Sequence, residues 1–399
     1  MAFRDLNFNI FYTFNLRIKH SNKTGEKMKI ALLSAASSIH TVRWANGLSE
    51  AGHEVFVISQ HENIDPFLPS VSVYTLPFRG VLGYFTIVPA VRKLLKKIQP
   101  DIVNAHYASG YGTTARLVGH HPWILSVWGS DVYDFPHKSP LHKWLVKKNL
   151  RAADRVVSTS HCMAEQTRTL TPELKDITIT PFGVDLSAYQ FIDIGGEKQT
   201  DKIIIGTVKT MKPKYGIDTL IEAFAILINS LQSKSEIDTK KLELRLVGGG
   251  EQTTELIALS EKLGVADSVK FIGQVPHTSV PQELARLDIY VALSRMDSES
   301  FGVAIIEAGA AGRPVVVSDA GGLPEVTFNG VTGLVVPREN PSAAAAALEK
   351  LVLDSNLRKE MGYAGKIHVA ENYSWSACIK TMLEVYNTTV SKYSRNLNE

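Results

Sequence analysis

The chain is poor in cysteine: 399 residues contain only Cys162 and Cys378. Two thiols build neither a disulfide framework nor a four-cysteine zinc site, so both are expected as small packed groups in a cytoplasmic protein. A long apolar run is also missing. The longest candidate, Val81 to Val91, holds Gly83 and Pro89 and falls well short of the ~20 residues that cross a bilayer. No secretory pattern is expected at the start, where Asn7, Asn9 and Asn15 interrupt a short aromatic stretch. No H-x-x-x-H pair with matching carboxylates occurs, so no metal site is expected.

Net charge is scarce too, at +3. With no recognition module beside it, so small an excess argues against a nucleic-acid partner. The balance is uneven, however. Residues 1–190 hold 21 Lys and Arg against 14 Asp and Glu, and the remainder holds 22 against 26, giving +7 and −4. That split predicts two domains with different partners. Apolar residues at 44% and charged ones at 21% describe an ordinary globular mixture, and a typical domain of ~150 residues predicts two to three domains.

Two blocks alternate strands with helices. In the first, strands are predicted at 29–33, 54–59, 71–76, 101–105, 123–127, 156–159 and 177–180, with a helix around 42–51. In the second, strands are predicted at 203–208, 242–247, 269–272, 289–292 and 315–318. Its helices are predicted at 218–231, 253–263, 281–287, 303–311 and 342–353. Near-continuous Val/Ile/Leu strands separated by helices are the pattern of parallel sheets buried on both faces. The fold class is therefore α/β, with two doubly wound, Rossmann-like domains in tandem and Phe191 to Lys202 as linker. Ligands bind such sheets at the carboxyl ends of the strands, which makes the cleft between domains the expected site. Residues 1–27 stand outside this pattern and read as a disordered extension, with Met28 as a second candidate start. The other reading of that segment is a membrane contact through Phe3, Phe8, Phe11 and Phe14.

The richest stretch runs from Ser298 to Ser318. A strand ends near Leu293, a polar loop follows, and a helix begins near Gly302–Val303. Small residues there leave backbone N–H groups open to a phosphate, which the helix dipole also favours. Glu299 lies in the loop and Glu307 just over one turn inside the helix. Two acids aimed at one anion would repel it, so they are expected to accept hydroxyl hydrogen bonds. The plainer reading is a helix with an N-terminal acid and a surface Glu307.

Glu299-x7-Glu307, then Gly312-x-Pro314 and Gly321-Gly322-x-Pro324-Glu325, resembles the donor-site signature of the family 4 retaining glycosyltransferases. Further matches run from Lys29 to about Tyr386. They include Arg43-Trp44-Ala45-Asn46, Gly52-His53-Glu54-Val55, Trp128-Gly129-Ser130-Asp131 and Pro181-Phe182-Gly183-Val184-Asp185. Lys214-Tyr215-Gly216, Val247-Gly248-Gly249-Gly250 and Gly330-Val331-Thr332-Gly333 follow in order.

The resemblance implies the GT-B arrangement, two Rossmann-like domains facing across a cleft. Residues 28–190 would form the acceptor domain and 191–374 the donor domain. A last helix within 375–399 would cross back to the first domain. It further implies that Glu307 binds ribose hydroxyls, that Glu299 lies against the donor sugar, and that the Phe301 and Gly302 backbone lies near sugar and phosphates. Lys209 and Lys214 are the expected phosphate cations, with Lys212 in reserve. Gly249 and Gly250 are assigned to the nucleotide, and the Gly273 to Val275 backbone to its base. Two departures stand out. Tyr215 occupies a position where relatives usually have Lys, and Trp128 one where many have His. Asp131 or His106 are therefore the candidates to meet sugar or acceptor, though Asp131 equally reads as a cap for the following turn. Ser37, Ser38 and His40, in the first βα turn, are acceptor candidates against a plain N-cap by Ser38 or Thr41.

The resemblance implies a retaining hexosyltransferase. It would take its sugar from a nucleotide-diphosphate donor, without metal or other cofactor, and pass it to a glycan or lipid-linked acceptor in surface polysaccharide assembly. The segments 91–98 and 141–150 are basic with apolar stripes, which reads either as covering helices of a Rossmann-like domain or as a lipid-facing surface. The resemblance tips this toward a membrane surface among the partners and a peripheral seat at the inner face of the cell membrane. The competing readings are a nucleotide-sugar epimerase and a non-catalytic nucleotide-binding protein. A nicotinamide oxidoreductase is disfavoured because the first βα turn lacks G-x-G-x-x-G.

Overall fold

The computed structural model describes residues 27–174, 176–192, 201–235 and 237–398. The readings made for residues 1–26 and for most of the linker (193–200) lie outside the described residues.

The N-terminal domain runs β1 (Lys29–Leu33), α1 (Ile39–Glu50), β2 (Glu54–Ser59), β3 (Ser72–Thr75), α2 (Gly80–Thr86), α3 (Val88–Ile98), β4 (Ile102–His106), α4 (Gly110–Val118), β5 (Trp123–Val127), α5 (Ser130–Tyr133), α6 (Pro140–Ala152), β6 (Arg155–Ser158), α7 (His161–Leu170) and β7 (Ile177–Ile179). Its seven strands are all parallel, in the order β3-β2-β1-β4-β5-β6-β7. The central strands are buried along almost their whole length, as their unbroken aliphatic runs require of a sheet covered on both faces.

The C-terminal domain runs β8 (Ile203–Val208), α8 (Ile217–Lys234), β9 (Leu242–Val247), α9 (Thr253–Lys262), β10 (Val269–Gly273), α10 (Val280–Arg286), β11 (Ile289–Ala292), α11 (Val303–Ala310), β12 (Val315–Ser318), β13 (Gly333–Val336), α12 (Pro341–Leu353) and α13 (Ser355–Asn372). Its six strands are again parallel, ordered β10-β9-β8-β11-β12-β13. The edge strand β13 was not anticipated. It is four residues long and begins at a glycine, too short for aliphatic periodicity to announce.

α14 (Trp375–Asn398) returns to the N-terminal domain. Its Cys378, Ile379, Met382 and Tyr386 are buried with Trp44 and Leu48 of α1, and the Asn104 amide in β4 donates to the Tyr386 hydroxyl at 2.8 Å. One face of the first sheet is thus covered by α1 and α14, the other by α3, α4, α6 and α7.

Two helix expectations need correction. The apolar stripe of segment 91–98 is not available to a membrane: Val91, Leu95 and Ile98 are buried in the core. The segment 141–150 divides, with Val146 and Leu150 buried while Leu141 and Trp144 are exposed. α1 also begins without the expected cap. Ser38 occupies the N-cap position but makes no side-chain cap bond, and the Thr41 hydroxyl instead pairs with Ser34 at 2.7 Å.

Candidate functional site

The carboxyl ends of β8 and β11 bring together the loops at 209–216 and 293–302. Gly216 fixes their packing: it sits at φ +63°, and a Cβ there would stand 2.0 Å from the Leu293 carbonyl oxygen. Lys209, the first residue after β8, donates from Nζ to Glu299 Oε1 at 2.6 Å. Both side chains are mostly enclosed, so the pair is only partly screened by water. Burial alone would lower the Lys209 pKa, but Glu299, with Tyr290 and Tyr215, outweighs it and raises it overall. The lysine is cationic at any physiological pH.

Tyr215 is flanked by two cations. Lys209 Nζ lies 4.4 Å and Lys214 Nζ 4.8 Å from its ring centre, a cation–π arrangement that keeps both ammonium groups in one place. The departure at Tyr215 therefore leaves positive charge concentrated there. Lys212 is exposed.

α11 opens from Gly302, which has φ +93°. The Phe301 side chain is buried against Phe182 of the other domain, centroids 5.8 Å apart. Glu307 lies in the second turn of α11 and is buried. Burial raises its pKa, and the nearby Arg43 and Lys209 partly offset that rise. Arg43 Nη2, from α1 across the cleft, and His277 Nε2 each lie 3.8 Å from Glu307 Oε1. Arg43 and His277 also hydrogen-bond each other. A cavity of about 640 Å³ opens beside Glu307 and is lined in part by Arg43, His277, Asp185, Tyr189 and Trp375. That volume is within the range of small-molecule sites.

Two of the glycines after β9 pack closely on the 209–211 loop. A Cβ on Gly248 would meet the Lys209 carbonyl oxygen at 2.0 Å, and one on Gly250 the Met211 carbonyl oxygen at 2.3 Å. Both therefore admit the 209–211 loop, while Gly249 has only Gln274 nearby, at 3.9 Å. Gly273 has φ +82° with open space beside it, and Val275 is partly buried.

Across the cleft, Asp131 is fully buried, and its carboxylate accepts from the backbone N–H groups of Ala108, Gly129 and Trp128 at 2.7, 2.9 and 3.2 Å. Burial raises its pKa and these donors oppose the rise. The geometry is that of a loop brace. His106 packs on Trp128, centroids 4.1 Å apart, and bonds Ser34 at 2.8 Å. His40 stacks on Phe182 at 4.2 Å, and its Nδ1 has no hydrogen-bond partner among the described residues. Burial drives both imidazoles to low pKa values, about 3 for His106 and about 4 for His40, with Arg43 adding to the effect at His40. Both are neutral at pH 7.

The sequence placed Arg43 and Glu325 in matched motifs without giving them a role, and it passed over His277; the structure shows that these residues join the domains. Arg43 and His277 meet Glu307, and Glu325 accepts from the first two amides of α7, His161 and Cys162, at 2.7 and 2.5 Å. A carboxylate at a helix N-terminus is favourably placed. Arg43 offered one signal, because it lies on a helix whose Val42, Trp44 and Ala45 are apolar and buried.

Two parallel-sheet domains whose strand ends face each other across this cleft constitute the GT-B architecture of glycosyltransferases. Family models agree in both halves: residues 29–160 match "Glycosyl transferase 4-like" and residues 190–368 match "Glycosyl transferases group 1". The D-inositol 3-phosphate glycosyltransferase of Actinosynnema mirum is 31% identical over 309 residues, 72% of each chain. The N-acetyl-alpha-D-glucosaminyl L-malate synthase of Bacillus anthracis is 25% identical over 85% of this chain and 90% of its own. Among solved structures, sucrose-phosphate synthase from Thermosynechococcus elongatus superposes with a TM-score of 0.78 at 20% identity, covering 92% of this chain and 100% of its own. The Anabaena HepE protein in complex with UDP and glucose gives 0.72 at 20% identity, covering 90% and 99%. The chain belongs to the family 4 glycosyltransferases.

Proposed function

We propose that the protein is a retaining hexosyltransferase that moves a hexosyl unit from a nucleotide-diphosphate sugar to a hydroxyl of a glycan or lipid-linked acceptor. We place it in surface polysaccharide assembly, peripheral to the inner face of the cell membrane. The observation that carries the reading is the Lys209–Glu299 pair, 2.6 Å apart, which ties the loop after β8 to the loop that leads to the N-terminus of α11.

In this reading the bond between the anomeric carbon and the diphosphate oxygen breaks, and a bond to the acceptor oxygen forms on the same face. The acceptor proton passes to the departing diphosphate. Lys209 and Lys214 offset the charge that grows on the leaving group, with the first backbone N–H groups of α11, so no resident metal is needed for that role. Glu299 accepts from a sugar hydroxyl and Glu307 from the ribose. The family assignment favours transfer over epimerisation.

The test is incubation with a UDP-hexose, with and without a glycan or lipid-linked acceptor. Release of UDP that depends on the acceptor, and a product whose anomeric proton coupling matches the donor, support the reading. Conversion of the donor with no acceptor present would make it an epimerase, and inverted coupling would remove the retaining mechanism.

A further inference from the structure

Two helical stretches on one side of the N-terminal domain carry cations and no carboxylate. Residues 79–98 contain Arg79, Arg92, Lys93, Lys96 and Lys97, residues 135–152 contain Lys138, Lys143, Lys147, Lys148 and Arg151, and neither has an Asp or Glu. Arg79 and Arg151 meet Glu62 and Glu173 from outside these stretches. Among the described residues no ion pair engages Lys93, Lys96, Lys97, Lys138, Lys143 or Lys148. α3 and α6 cover the sheet face opposite α1 and α14, so their charges share one surface.

The same surface exposes large apolar side chains. On α2, Val81 and Leu82 are 75% and 76% exposed; on α6, Leu141 and Trp144 are 68% and 50% exposed. Both sets stand at the cleft end of the domain. Thr114 in the middle of α4 donates to the Tyr84 carbonyl at 2.7 Å, and a Cβ on Gly110, the first residue of α4, would stand 2.4 Å from the Tyr84 ring, which seats α2 beside the carboxyl end of β4. Asn149 of α6 donates to the Ala108 carbonyl, just past that strand end, at 2.8 Å. The first turns of α6, with Leu141 and Trp144, therefore project beyond the sheet.

We propose that this face docks the protein onto an anionic lipid bilayer. Val81, Leu82, Leu141 and Trp144 enter the headgroup region at the cleft end while the lysines along α6 and α3 meet lipid phosphates. Exposed apolar tips set in a field of unpaired lysines have the chemistry of an interfacial anchor, and an anionic leaflet supplies the complementary charge. The inference rests on the proposed function for its purpose: the docked face holds the acceptor side of the cleft toward the membrane, where a lipid-linked acceptor resides.

Flotation of the full chain with vesicles tests it, comparing phosphatidylcholine containing about one-third phosphatidylglycerol with phosphatidylcholine alone. Wild type is expected to float with the anionic vesicles only, and to be released in 0.5 M salt. Leu82→Ser with Trp144→Ser, and separately Lys143→Glu with Lys148→Glu, are expected to weaken binding about tenfold or more. These side chains are exposed, and an unchanged melting temperature confirms folding. Wild type that stays unbound, or binds neutral vesicles equally well, overturns the inference. So does a wild-type dimer that the same substitutions dissociate, which would give the face to a second copy. A melting-temperature rise with UDP, measured on the same samples, separates the two readings: its persistence without vesicle binding removes the anchor and leaves the transferase.

Discussion

Arg43 of the N-terminal domain and Glu307 of the C-terminal domain lie 3.8 Å apart across the cleft. The contact joins the carboxylate that we propose for the ribose to a cation from the opposite domain, and in that reading nucleotide binding and the contact between domains share a residue. Glu307 is buried, which raises its pKa, and Arg43 is the first of two cations that restrain the rise. Only the ionised carboxylate accepts two hydroxyl hydrogen bonds freely. UDP affinity is therefore expected to fall as pH drops through the Glu307 pKa, and Arg43→Ala is expected to move that fall to higher pH. Titrations of wild type and variant between pH 5 and 8 check this; superimposable profiles would uncouple the pair.

Lys209 and Glu299 form a largely enclosed ion pair. Lys209→Met leaves Glu299 without its partner and is expected to cost on the order of 1–3 kcal/mol of stability, between exposed and fully buried pairs. Turnover is expected to fall by about 10²–10³, the scale for one lost electrostatic donor. The double variant with Glu299→Gln is expected to regain much of the stability and none of the turnover. Denaturant midpoints and initial rates separate these effects, and full activity in Lys209→Met would remove it from the leaving-group role.

Asp131 holds three backbone amides with one carboxylate. Asp131→Asn keeps only one acceptor oxygen, and a loss of about 1–3 kcal/mol is expected from the donors left unpaired. Because no side of the carboxylate is free for substrate, the folded variant is expected to retain activity within about tenfold. A loss of several hundredfold with unchanged stability would return Asp131 to the chemistry.

Burial pushes the His106 and His40 imidazoles down to about 3 and about 4, below the ordinary histidine value of about 6.5. The unfolded chain therefore takes up protons first as pH falls. Stability from these groups is fully present above about pH 6.5 and is lost progressively toward pH 4. His106→Gln is expected to flatten the decline in unfolding midpoint between pH 7 and pH 5, and an unchanged slope would assign the acid sensitivity elsewhere.

The doubly wound sheets were legible because buried parallel strands must be aliphatic along their whole length, as in Ile289 to Ala292. Lys209 and Glu299 were legible as residues of loops that follow strands, and Glu307 as a residue one turn inside the next helix; the roles expected of them came from the family resemblance. What could not be read is whatever depends on the approach of distant segments. Gly248 and Gly250 announced a close backbone approach, but not that the 209–211 loop makes it. Arg43 and Glu307 are 264 positions apart, and no local pattern announces a contact between domains. Val91, Leu95 and Ile98 looked like a lipid-facing stripe, and only the packing of α3 shows that the core takes them. The exposed Val81 and Leu82 passed as part of an ordinary apolar run.

Thermal unfolding with about 1 mM UDP, in wild type and Glu307→Ala, tests the central claim most directly. A dissociation constant of ~10–100 μM stabilises by roughly 1.4–2.7 kcal/mol, a rise of about 3–10 °C. The account predicts such a rise in wild type with UDP or another nucleoside diphosphate, and its loss in Glu307→Ala. A rise that survives the substitution would contradict the assignment of Glu307, and no rise with UDP, GDP or ADP would contradict the nucleotide-sugar donor itself.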